Sequence, residues 1–135
     1  MTRIKKTDKK RALSLIENAQ KDLAYTLSLE VHENSSNTIV RNIYECFRML
    51  GEALLIAEGI ILEDHIIPLN ALMNVRVNTK RPLKTLDNLR RTRNNINYYG
   101  YHASAAEARD IIDFAQMCFN PLSKEVKKII ENQNL

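Results

Sequence analysis

Chain breakers are scarce in this sequence. Its 135 residues hold only three glycines (Gly51, Gly59, Gly100) and three prolines (Pro68, Pro82, Pro121), which points to helices. No Gly-rich loop precedes a helix, so neither a P-loop nor a dinucleotide-binding fold is supported. No hydrolase-type nucleophile elbow is present. His32, His65 and His102 lie far apart, and no CxxC or HxxxH spacing occurs, which argues against a zinc site; no metal or other cofactor is expected. The two cysteines, Cys46 and Cys118, each sit in an apolar run and read as reduced core thiols of a cytoplasmic protein. No uninterrupted apolar run is long enough to span a bilayer, so no membrane association is expected. The basic start, Met1 to Arg11, lacks the apolar segment of a secretory signal.

What is present is a set of amphipathic periods. The length suits one domain over residues 1–135, large enough to bury a core without disulfide or metal. A first helix is expected from a cap at Thr7 to about Leu29, on a stripe of Ala12, Leu15, Ile16, Ala19, Leu23 and Leu27. Six basic residues crowd its entrance (Arg3, Lys5, Lys6, Lys9, Lys10, Arg11). They oppose the helix dipole, so residues 1–6 are expected to be frayed or held by something negative. His32 to Asn37 reads as a loop. A second helix, from about Thr38 to Glu58, carries Ile39, Ile43, Phe47, Leu50 and Leu54, with Gly59 as its stop. On its opposite side Arg41, Glu45, Arg48 and Glu52 form either an exposed ladder of ion pairs or a source of carboxylates for arginines elsewhere.

Ile60 to Met73 reads as a short apolar third segment, one helix after a turn, interrupted or started at Pro68. A fourth is expected from Pro82 to Tyr99, closed by Gly100 in the left-handed conformation. Ser104 and Glu107 make a capping box for a fifth helix, with stripe Ala108, Ile111, Ile112, Ala115, Cys118 and Phe119, which Asn120-Pro121 is expected to bend or break. The fold class is all-α: an antiparallel four-helix up-down bundle with one short extra helix.

The chemistry concentrates at the end of the fourth helix. Leu83, Leu86, Leu89 and Ile96 define its apolar stripe, and Arg90, Arg93 and Asn97 fall inside that stripe. An arginine there keeps its charge, so it must be paired, sit at an interface or line a cleft. A buried structural salt bridge, or a helix rolled so that the arginines reach solvent, would satisfy the same pattern. Arg76 to Arg93 holds seven Lys/Arg against one acid, Asp87, while Glu30 to Asp64 holds seven acids against two bases. The asymmetry points to one face for a polyanion and a separate acidic surface, or to solvated helix flanks.

The run Arg93-Asn94 through Tyr98-Tyr99-Gly100 resembles the HEPN family of small all-α domains. So does the helix-two run from Ile43-Tyr44-Glu45-Cys46-Phe47 to Glu58-Gly59, followed by the short segment at His65-Ile66-Ile67 and the capped fifth helix. The resemblance spans roughly Lys10 to Leu122. It implies a homodimer whose arginine-bearing helix ends face each other, binding RNA or nucleotide. Arg90, Arg93, Asn94, Asn97 and Tyr98 would be the ligand-binding residues, with Glu45 as a carboxylate partner of the arginines. Many members are metal-independent ribonucleases in which an arginine and a histidine separated by four to six intervening residues act together. Here the corresponding positions are Tyr98, Tyr99 and Gly100, and the first histidine after Arg93 is His102. A tyrosine titrates near ~10 and is a poor base at neutral pH, so the reading favours binding over turnover. The alternative is an endoribonuclease with Arg93 as phosphate clamp and His102 as acid or base. In another form it is the toxin of a pair with a nucleotidyltransferase-like antitoxin.

Overall fold

A computed structural model describes residues 3–4, 8–61 and 66–132. It is all-helical apart from one two-residue pairing. The helices are α1 (Lys9–Leu27), α2 (Ser36–Ala57), α3 (Ile66–Met73), α4 (Thr85–Tyr99) and α5 (Ala105–Glu131). Strands β1 (Arg3–Ile4) and β2 (Ile60–Ile61) pair antiparallel, Arg3 opposite Ile61 and Ile4 opposite Ile60. Two residues are too few for a period of two to be visible in the sequence.

The architecture is built around α2, which packs against all four other helices. A helix surrounded on most sides must be apolar over more than one stripe. Accordingly Val40, Tyr44, Gly51 and Leu55 are buried alongside the expected Ile39, Ile43, Phe47, Leu50 and Leu54. Phe47 lies at the centre, with its ring 5.4 Å from that of Phe114 and 5.3 Å from that of Phe119, both on α5. Gly51 marks where α3 crosses α2. A Cβ at that position would lie 2.1 Å from the Pro68 carbonyl oxygen, so only glycine permits the approach.

Several boundaries differ from expectation. Thr7 lies outside the described residues; Asp8 caps α1, its side chain accepting from the Arg11 amide at 3.0 Å. That carboxylate answers the basic entrance, and Lys9 Nζ donates to the Glu131 carbonyl at the end of α5. α2 starts at Ser36, inside the expected loop, because the buried Ser36 hydroxyl donates to the His32 carbonyl and locks the turn. Pro82 precedes α4 rather than opening it. The amides of Thr85, Leu86 and Asp87 bond three residues back, to Pro82, Leu83 and Lys84, making a tighter entry turn. Within Ile60 to Met73 the helix, α3, begins at Ile66 rather than at Pro68; residues 62–65, including His65, lie outside the described residues.

Pro121 does not break α5. A proline inside a helix costs about 3 kcal/mol. Cys118, Phe119, Leu122, Ser123, Val126 and Ile130 around it are all buried, and burial of a large apolar side chain returns about 1.5–3 kcal/mol each. The Gly59 and Gly100 stops hold, at φ 79° and 68°. The Ser104–Glu107 capping box is also present. Among the described residues no helix is long and apolar enough to cross a membrane.

Candidate functional site

α4 has a narrow apolar stripe of Leu86, Leu89 and Ile96 laid on α2. Helical spacing puts Arg93 between Leu89 and Ile96, where it meets α2 at Tyr44. The Arg93 guanidinium carbon sits 4.0 Å from the Tyr44 ring centroid. This is a cation held on a π face, worth ~0.5–2 kcal/mol depending on how dry it is. Arg93 is half-buried and Tyr44 is 2 % exposed. Arg93 Nε and the Tyr44 hydroxyl are both buried with no hydrogen-bond partner among the described residues. Leaving such groups unpaired is costly, so among the described side chains these two atoms stand out as unsatisfied.

The residues Arg93 and Tyr44 line an open cavity of about 330 Å³ with Arg41, Asn42, Glu45 and Asn97. A second cavity of about 270 Å³ adjoins it, lined by Asp22, Tyr25, Thr26, Asn42, Glu45 and Cys46; Asn42 and Glu45 belong to both. Burial, helped by the nearby charges of Asp22 and Glu45, pushes the Cys46 thiol up to about 12, so it is neutral and unreactive.

The basic run resolves into separate arrangements. Arg81 reaches α5, bonding Asp110 and Asp113. Arg90 and Arg91 share Asp87 at 2.9 and 3.0 Å, and these bonds, Arg90's foremost, hold the Asp87 carboxyl below its ordinary range. Arg90 therefore serves its own helix, while Arg93 points to a ring. Glu45 and Glu52 both bond Arg48, on their own helix, which raises the Arg48 guanidinium further. Glu45 still borders the cavity that holds Arg93.

Of the expected ligand residues, the structure brings Arg93, Asn97 and Glu45 to one cavity. Asn94 is partly buried and outside that lining; Tyr98 is 69 % and Tyr99 81 % exposed at the end of α4. His102 is not among the lining residues either. Its Nε2 lies 2.8 Å from the Glu33 carbonyl, in a segment stitched to the approach to α2. There the Ala103 amide donates to Asn37 and the Ala105 amide to Glu33. Tyr101 donates its hydroxyl to Glu107, which also caps α5. Sequence reasoning missed Arg41, Asn42 and Tyr44. A second α2 stripe through Val40, Tyr44, Gly51 and Leu55 was the available signal. Among the described residues no group of three or more His, Cys, Asp or Glu side chains could hold a metal ion.

Compared with family models, curated proteins and solved structures, the chain matches none of them.

Proposed function

We propose that the chain is a HEPN-like domain that binds RNA or nucleotide through the cavity between α2 and α4. In this reading α1, α2, α4 and α5 form the antiparallel up-down bundle, α3 is the extra helix, and two copies pair at the α4 ends. The observation that carries it is the Arg93 guanidinium, held over the Tyr44 ring with Nε unpartnered among the described residues, on a side chain that lines an open polar cavity with Arg41 and Asn97. A flat guanidinium with spare N–H groups is a phosphate receptor, because its fork matches two anionic oxygens. The exposed Tyr98 and Tyr99 rings beyond it suit base stacking, which is worth ~1–3 kcal/mol per base. Binding without turnover is favoured, since His102 is engaged at Glu33 and lies outside the cavity lining.

The test is a titration of fluorescent single-stranded RNA at two salt concentrations, with EDTA present. Wild type should bind, more weakly at high salt, and leave the RNA intact. Arg93→Ala should lose about tenfold or more in affinity while keeping the helical circular dichroism spectrum. An Arg93→Ala protein that folds and binds as wild type refutes the reading.

A further inference from the structure

The two adjoining cavities differ in chemistry. The first presents Arg41 and Arg93. The second presents the Asp22 carboxylate, the Asn42 amide at the junction and the Tyr25 ring, which is 67 % exposed. Thr26 spends its hydroxyl proton on the Asp22 carbonyl at 2.8 Å, and Glu45 is taken by Arg48. Asp22 and Asn42 are thus the groups placed to read an edge. Tyr44, which lines the first cavity, is 2 % exposed and its buried hydroxyl has no partner among the described residues. The volumes of about 330 and 270 Å³, taken together, fall within the ~300–1,000 Å³ usual for small-ligand sites.

We infer that the joined cavities take a guanine nucleotide, with phosphate at Arg41 and Arg93 and the base edge at Asp22 and Asn42. This rests on the binding reading above and adds a base preference to it. A carboxylate only accepts hydrogen bonds. Guanine offers two adjacent donors, N1–H and the 2-amino group, that match its two oxygens. Adenine and cytosine each set an acceptor nitrogen beside their amino group, and uracil flanks its one N–H with carbonyls. Those edges turn lone pairs toward the carboxylate. Tyr25 at the rim is placed to stack on the base.

The ligand could be free or a residue of an RNA strand, and one experiment separates the two. GMP, UMP and inorganic phosphate are titrated into the whole protein, followed by a short oligo-U and the same oligomer carrying one G. Calorimetry reads each affinity. GMP should bind about tenfold or more tighter than UMP, or the G-containing oligomer should exceed oligo-U by that ratio if the strand is the source. Asp22→Asn replaces one of the two acceptor oxygens by an NH2 donor and should bring the ratio to near one, with UMP or oligo-U affinity unchanged. Arg93→Ala should weaken both members of each pair equally. Equal affinities for G and U ligands, both lost in Arg93→Ala, overturn the guanine reading and leave nucleotide binding standing. No binding by any nucleotide or oligomer overturns both.

Discussion

Tyr44→Phe separates a structural role of this residue from a ligand-binding one, because the two predict opposite signs. The ring packs under Arg93 at 4.0 Å and is 2 % exposed, while its hydroxyl is buried without a partner among the described residues. Phenylalanine keeps the ring and removes that hydroxyl. An unsatisfied buried polar group costs about 1–3 kcal/mol, and Phe still supports the cation–π contact, somewhat less strongly than Tyr. The empty protein should therefore gain about 1 kcal/mol, the lower end allowing for a small void where the oxygen was. For a domain of this size that is a rise in Tm of roughly 3–5 °C. Ligand binding should move the other way, by about tenfold, if the hydroxyl is held for the ligand. Thermal unfolding by circular dichroism, with and without saturating RNA, reads both. Loss of stability in the free protein refutes the reasoning, since it would mean the hydroxyl is already paired.

Two further perturbations probe the frame. Gly51→Ala would raise stability by up to ~1 kcal/mol in an open helix, but here the new Cβ meets the Pro68 carbonyl at 2.1 Å. Shifting α3 loosens the buried Leu69 and Leu72, so a net loss of about 2–4 kcal/mol is expected in urea unfolding, and a neutral or stabilised variant contradicts the crossing. The Tyr101 hydroxyl is the main influence holding the Glu107 carboxyl below its usual range, and the same bond raises Tyr101 above its own. A depressed carboxyl stabilises above ~4.5 and loses that as pH falls; a raised phenol stabilises below ~10 and loses that as pH rises. Tyr101→Phe should thus lower Tm by a constant amount between about pH 5 and 9, with the gap closing below about pH 4; a gap that persists into acid points to packing instead.

How far the sequence could be read depended on whether the governing interaction was local. The capping box at Ser104, the stops at Gly59 and Gly100 and the stripes of α1 and α5 are set within a few residues, and they were legible. Pro121 does not end α5 because its local cost is opposed by burial against distant elements, which no window along the chain displays. The candidate site shows the same division. Arg93 stood out as a charge on an apolar stripe, but what it meets belongs to another helix. Tyr44 could be found only by asking what a central α2 does with its second buried stripe, and it meets Arg93 with its ring. Arg90 and Arg93, three residues apart on one face, looked equivalent in sequence. Asp87, placed one turn before Arg90, takes that arginine and leaves Arg93 over the cavity. A local acid thus decides which of two similar cations is paired on its own helix and which lines the cavity.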